Sequence, residues 1–281
     1  MKNRRFLSLL LVLCMTIGML GCAKKDDSGL QIVSFNIRAH NDTDGNSIKE
    51  RAPRLHSLIE PIEPDVIGFQ EFSPMWEKPI EEYFGETYEM FLKYRNEAVD
   101  IEACPILWRK DKFECVDTGY FWLSETPEEP SFGWDALYNC FRMCEYVILK
   151  EVKTDKQFVV MNTHLGFGDE EQIKSVELIH EYSKKISEYP TIILGDFNMT
   201  PSSAGYKRMS ELFTDVNAAT AKDMSQTYHG YKPAEHKEEH IDYCFISEGV
   251  KPMNQEIIND LVDGKFASDH YGLSILLYLE E

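Results

Sequence analysis

Positive charge is scarce in this chain. Over 281 residues, 29 Lys and Arg stand against 48 Asp and Glu, a formal net charge of −19. Proteins that grip nucleic-acid backbones without regard to sequence do so with Lys and Arg that displace counterions from phosphate, so the composition disfavours that class. A small, metal-bridged or neutral-headed substrate fits better. Cysteine is too sparse and uneven for a disulfide scaffold. Of seven, Cys14 and Cys22 belong to the N-terminal segment, leaving Cys104, Cys115, Cys140, Cys144 and Cys244. Five cannot pair completely. A Cys140/Cys144 or Cys104/Cys115 bridge is open to a chain outside the cytoplasm, but buried free thiols are the favoured reading. There is no internal repeat, no Gly/Ser linker and no composition break after Gly29. With 43% hydrophobic and 12% aromatic residues, wholesale disorder is excluded. Residues 30–281 read as one domain of about 250 residues, and a monomer is expected.

The longest apolar run is short and N-terminal. Lys2, Arg4 and Arg5 precede Phe6–Leu20, interrupted by Ser8, Thr16 and Gly18 and closed by Gly21-Cys22. As a helix, that run reaches roughly 22 Å, less than the roughly 30 Å of a bilayer core. Residues 1–21 therefore read as a cleaved secretory signal. Met19-Leu20-Gly21-Cys22 resembles a bacterial lipobox, with Met19 where Leu is usual. The resemblance implies lipidation of Cys22, which supplies the two-chain anchoring that one acyl group cannot. Residues 22–29 then form the lipidated cysteine and its polar tether. The expected location is extracytoplasmic, at the cell surface or in the periplasm, with the membrane as a partner through the lipid. Cleavage removes Lys2, Arg4 and Arg5 and no acid, so 26 basic residues face 48 acidic ones, a balance of −22.

Apolar runs of strand length recur from Gln31 onward: Ile32–Ile37, Val66–Phe69, Ile106–Trp108, Val147–Leu149, Phe158–Met161, Ile192–Leu194, Ile241–Ile246 and Leu273–Leu277. Arg51–Ile59 and Glu170–Ile186 carry apolar residues at three- and four-residue spacing, the second through Ile173, Val176, Ile179, Tyr182 and Ile186, and read as helices. Other strands follow one another directly, around Phe113–Leu123 and Tyr138–Leu149. That mixture predicts sheets faced by helices rather than a purely parallel sheet.

Polar residues gather at the strand ends: Ser34-Phe35-Asn36, Gln70-Glu71, Asn162-Thr163-His164, Gly195-Asp196-Phe197-Asn198, His240-Ile241-Asp242 and Ser268-Asp269-His270. Taken singly, each reads as a turn or a solvated group. Delivered to one rim, carboxylates, carboxamides and imidazoles suit a hard divalent cation and acid–base chemistry.

These pieces, with "SFNIR", "GFQE", "PILWRKDKFE", "FWLSETP", "GWDA", "NTHL", "GDFN", "HIDY" and "SDHYG" in this order, resemble the endonuclease/exonuclease/phosphatase superfamily of metal-dependent phosphoesterases. The resemblance spans about Ile32 to Leu277. It implies an α/β (α+β) fold, in which two mixed β-sheets pack face to face with helices on the outer faces. It also implies Mg²⁺, with Mn²⁺ as an alternative. Glu71 resembles the principal metal ligand, with Asn36 and Asp269 assisting. Asp196 resembles the base that orients and deprotonates water, and Asn198 a holder of phosphate or water. His270, paired with Asp242, resembles an imidazole that stabilises phosphoryl oxygens, and His164 faces the same phosphate. Arg142 and Asn162 are expected substrate contacts. The Asp242 carboxylate should keep His270 cationic.

One departure stands out. Many relatives carry Arg-x-x-Thr-Trp after the Gly-Trp-Asp-Ala segment, whereas Arg142-Met143-Cys144-Glu145-Tyr146 replaces that Thr with Glu145. This weakens any substrate inference from relatives. Among substrates, a small or lipid-borne phosphoester is favoured over long duplex DNA, with nuclease action as the alternative. Two rivals remain. His236, Glu239 and His240 match the H-x-x-E-H zinc-peptidase signature, which needs a helix, yet Pro233 precedes it and a strand-like run follows. A binding module that lost catalysis should lack a ligand or base, and none is missing. Asp42 and Asp44 read as a solvated acidic loop rather than a second cation site. Trp76, Phe121, Trp122 and Trp134 read as core rather than pocket lining.

Overall fold

The computed structural model describes residues 29–96, 98, 101–135, 137–138, 140–220, 226–237 and 239–280. The expected signal segment and the Cys22 lipidation site lie outside the described residues. In chain order the elements are β1 (Leu30–Asn36), α1 (Ile48–Ile59), β2 (Val66–Gln70), α2 (Pro74–Phe84), β3 (Tyr88–Phe91), β4 (Ile106–Arg109), β5 (Phe113–Trp122), β6 (Met143–Glu151), β7 (Gln157–His164), α3 (Asp169–Ile186), β8 (Thr191–Asp196), α4 (Ala204–Leu212), β9 (Thr214–Asp215), α5 (Val216–Ala219), β10 (Asp242–Ile246), β11 (Val250–Ile258) and β12 (Gly272–Leu279).

The strands form two six-stranded mixed sheets, ordered β11-β12-β1-β2-β4-β3 and β5-β6-β7-β8-β10-β9. Strand side chains alternate between faces. Ile32, Val66, Val160, Ile192, Leu194 and Ile275 point between the sheets into one core. Val33, Phe35, Ile67 and Phe69 point outward beneath α1 and α2, meeting Leu55, Ile59, Trp76 and Ile80. On the second sheet, Val159, Met161 and Ile193 meet Val176 and Ile179 of α3 and Met209 of α4. The inner strands are therefore buried on both faces, which is why they read as continuous apolar runs. Each such side chain contributes roughly 1.5–3 kcal/mol of burial. This is the sandwich that the resemblance implies.

Both expected helices form. The first starts earlier, at Ile48, where the Glu50 carboxylate reaches back to the Ser47 N–H at 3.2 Å and satisfies a donor the helix leaves open. The sequence reading passed over α2, whose Pro74 and Pro79 obscure a helical pattern, and the edge strand β11, where a bulge between Pro252 and Asn254 breaks the alternation. Cys104, Cys115, Cys140, Cys144 and Cys244 are all free thiols. Trp76, Phe121 and Trp122 are core residues, as expected, whereas Trp134 is only half-buried, its Nε1 donating to Glu125 Oε1 at 2.7 Å. Among the described residues, no helix is long and apolar enough to cross a membrane.

Candidate active site

Topology brings the polar strand ends together. β1 and β2 run parallel in register, with Asn36 opposite Gln70, and β7 and β8 do the same, with His164 opposite Asp196. β10 runs antiparallel to β8 and places Asp242 opposite Asp196. β12 runs antiparallel to β1 and starts at Gly272, so Asp269 and His270 enter from the same rim. The "GDFN" glycine has a packing reason: a Cβ on Gly195 would collide with the Thr163 carbonyl of β7. Glu71 (φ 54°) and Asn198 (φ 49°) leave their strands in the left-handed region, a costly conformation for residues other than glycine that clusters at functional sites.

The Asn36 carboxamide is the hub. Its Nδ2 donates to Glu71 Oε1 at 3.2 Å and to Asp196 Oδ2 at 2.9 Å, so the expected ligand and the expected base share one side chain. The Glu71 Oε2 accepts the Ala39 N–H at 3.0 Å, and the Asn198 N–H donates to Asp196 Oδ1 at 3.0 Å. His270 Nδ1 lies 2.9 Å from Asp242 Oδ2, and its Nε2 lies 3.7 Å from Asp196 Oδ2. His164 Nε2 approaches the same Asp196 oxygen at 3.6 Å. Arg38 is 3.7 Å from Asp269 and 4.0 Å from Glu71. A cleft of about 810 Å³ opens over these groups, lined also by Arg142, Arg95, Tyr138 and Phe167.

Electrostatics separates the roles. Burial works against the charge of His270, but Asp242 and Asp196 win and raise its pKa to about 10. Burial raises the Asp196 carboxyl to about 7, with Asp242 adding to the effect. Burial also pushes Glu71 up, but the Ala39 N–H, His270 and Arg38 outweigh it and leave the carboxyl below its usual value. Asp269 is raised, by burial and by Glu71. His164 is held well below the usual imidazole range by burial and by Arg142 and Arg95, so it is neutral at pH 7.

Asp196, Asp242 and His270 offer ligand atoms within 4.8 Å of one another. A cationic imidazole bonded to Asp242 has no lone pair to give a metal. The oxygens of Glu71, Asn36 and Asp269 at the same rim could hold a hard cation. The donor set fits such an ion: the buried carboxylates Asp196, Asp242 and Asp269 and the partly buried Glu71 gather around the cations Arg38 and His270, and buried carboxylate charge left uncompensated is costly. Arg142 fits phosphate. It is 4% exposed, sits 3.6 Å from Asp135 through Nη2, and keeps buried Nε and Nη1 without hydrogen-bond partners among the described residues.

Asn162 does not belong to this group, and its expected substrate role is corrected. It is fully buried, donating to the Phe69, Cys104 and Pro105 carbonyls at 2.8, 3.1 and 3.0 Å and accepting from Gln70 Nε2 at 2.7 Å. Its carboxamide ties the two sheets beneath the cleft. It stands two residues before His164 on the same inter-sheet face of β7, but one step deeper, where Phe69 and Pro105 of the opposite sheet cover it. Arg38, Arg95 and Tyr228 line the cleft and were not singled out, because their segments are irregular and carry no periodic signal. The zinc-peptidase reading fails: His236, Lys237, Glu239 and His240 lie outside any helix, and His236 pairs with Glu239 at 2.9 Å. Asp42 is engaged by Arg38 at 3.2 Å, and no acidic cluster of metal-binding geometry forms around it among the described residues.

The sequence model of the Endonuclease/Exonuclease/phosphatase family matches residues 33–270. A family protein from Bacteroides vulgatus has the same fold at TM-score 0.82 and 30% identity, over 90% of this chain and 99% of that one. A mannosyl-6-phosphatase of Bacteroides thetaiotaomicron superposes at TM-score 0.80 with 26% identity, over 89% of this chain and 100% of the other. An uncharacterised protein of Acanthamoeba polyphaga mimivirus is 28% identical over 208 residues, 67% of this chain and 76% of its own length. With the matched span covering most of the sequence and the site geometry in place, the chain belongs to the endonuclease/exonuclease/phosphatase family and is a phosphoester hydrolase.

Proposed function

We propose that this chain hydrolyses a small phosphoester with Mg²⁺, outside the cytoplasm and held to a membrane through Cys22. The observation that carries the reaction is the Asn36 bridge, which sets the Glu71 and Asp196 carboxylates side by side. Glu71, Asn36 and Asp269 would hold the cation. Bound there, it would draw charge from the phosphoryl oxygens as the transition state develops. Asp196, fixed by Asn36 and the Asn198 N–H, orients a water and takes its proton. His270, kept protonated by Asp242, and the guanidinium of Arg142, whose buried Nε and Nη1 have no hydrogen-bond partner among the described residues, bind the phosphoryl oxygens.

A small substrate is supported by the cleft of about 810 Å³ and by the acidity of the chain. Similarity to a mannosyl-6-phosphatase puts sugar phosphates first among candidates. A Mg²⁺-supplemented panel of sugar phosphates, nucleotides, inositol phosphates, phospholipids and duplex DNA tests this. Turnover concentrated on small soluble esters is expected; preferential cleavage of duplex DNA would overturn the reading. Detection of a diacylglyceryl group on Cys22 by mass spectrometry tests the anchor separately.

The His270 role has its own pH signature. A clamp whose pKa is raised to about 10 is charged below that value, so kcat/KM should fall as pH rises through it. Asp242→Asn removes the main carboxylate that favours the cation. The alkaline limb should then move down by on the order of one to three pH units. A limb that stays in place in the pH–rate profile would show that Asp242 does not hold the proton.

A further inference from the structure

We infer that Arg95 binds an anionic oxygen of the substrate, and that Glu145, the residue departing from the family pattern, is the positioning residue that puts it there. The inference rests on the phosphoester reading of the cleft and adds two residues to it. Glu145 lies mid-strand on β6, opposite Tyr120 of β5 and Asn162 of β7, and is fully buried. A carboxylate so placed costs free energy unless its oxygens are engaged. Both are. Oε1 accepts the Cys104 N–H at 2.7 Å and Oε2 the Lys93 N–H at 3.1 Å.

Those two donors are the two sides of a neck. Beyond it the arms pair again, the Arg95 N–H donating to the Glu102 carbonyl at 2.9 Å. Trp122 Nε1 holds the Arg95 carbonyl at 2.9 Å, and Asn162 Nδ2 holds the Cys104 carbonyl at 3.1 Å. The neck thus fixes the backbone of Arg95, whose guanidinium meets Glu102 at 2.8 Å in the wall of the cleft that also contains Arg142 and His164. Arg95 is only 7% exposed, so its reach is set by this backbone rather than by side-chain freedom. Its charge, with that of Arg142, is felt at His164, which is itself 3.6 Å from Asp196. A Thr at 145 offers one short oxygen where two separated N–H groups need a two-sided acceptor.

A double-mutant cycle on the Mg²⁺-loaded full chain tests this, with inorganic phosphate as the competitive probe. Wild-type turnover and its inhibition by phosphate are measured first; if neither occurs, it is the underlying phosphoester reading that has failed. Glu145→Thr and Arg95→Gln should each weaken phosphate inhibition by about tenfold, raising KM more than they lower kcat. The double variant should be no worse than Arg95→Gln alone, because one acts through the other. Glu145→Gln, which keeps a carbonyl acceptor, should recover part of the loss, and it carries the cycle if Glu145→Thr does not fold. Independent, multiplying losses would overturn the coupling. An unchanged phosphate Ki in Glu145→Thr with a lowered Tm would make the residue structural only, and an unchanged Ki in Arg95→Gln would remove the arginine from the site.

Discussion

Asp196→Asn is expected to lower kcat by about 10³-fold, within the range of 10² to 10⁴ that a positioned general base contributes, while KM changes little. The substitution keeps the size of the side chain and one acceptor, so either the Asn36 amide or the Asn198 N–H remains bonded. What disappears is the group that takes the proton of the attacking water. Stability provides the control. Burial and the nearby Asp242 raise the Asp196 carboxyl to about 7, so the folded chain holds a proton between the ordinary carboxylate value and pH 7 that the unfolded chain has released. Stability therefore falls as pH rises through that window, and above it the ionised carboxylate is a net cost. In chelator at pH 8, the Asn variant should melt no lower than wild type. A variant that is both inactive and markedly less stable would point to a folding defect rather than a missing base, and one that retains near-wild-type kcat would remove Asp196 from catalysis.

Glu71→Gln is expected to be comparably severe, but with a different signature. Gln preserves an acceptor for the Ala39 N–H while removing the charge that a hard divalent cation binds. The Mg²⁺ concentration for half-maximal activity should rise at least about tenfold, as for loss of a metal-orienting group, with kcat at saturating metal partly restored. Wild type should lose activity in chelator and regain it with Mg²⁺ or Mn²⁺. Titration of activity against each metal measures both effects. An unchanged Mg²⁺ requirement in the variant would place the cation elsewhere. Because Asn36 touches Glu71 and Asp196 together, losses in Asp196→Asn and Glu71→Gln should fail to multiply in the double variant.

Local chemistry made much of this protein legible before any tertiary contact was known. Apolar runs such as Ile192–Leu194 are uninterrupted because both faces of their strands are covered, so hydrophobicity announced the inner strands. It said little of β11, where a bulge between Pro252 and Asn254 breaks the alternation, or of α2, whose prolines mask its period. The convergence of Asn36, Glu71, Asp196, Asp242, Asp269 and His270 followed from their common place at strand ends. Asn162 takes the same inter-sheet face as His164 and still fell outside the cleft, because it lies one step further down β7, where the opposite sheet closes over it.

The amino-acid order alone pointed to the reaction class, through the resemblance that its motifs from "SFNIR" to "SDHYG" bear to metal-dependent phosphoesterases, while the acid, amide and imidazole side chains at six strand ends suit a hard cation. It also determined the strongly negative balance that argues against gripping long nucleic acid. Tertiary structure alone decided which carboxylates share the Asn36 amide, that His164 is neutral, and that Arg95 enters the account with Glu145 behind it. The reason is that proton affinity and hydrogen-bond partnership depend on distances of a few ångströms between residues far apart in the chain. Strand pairing and burial set those distances, and no local pattern encodes them.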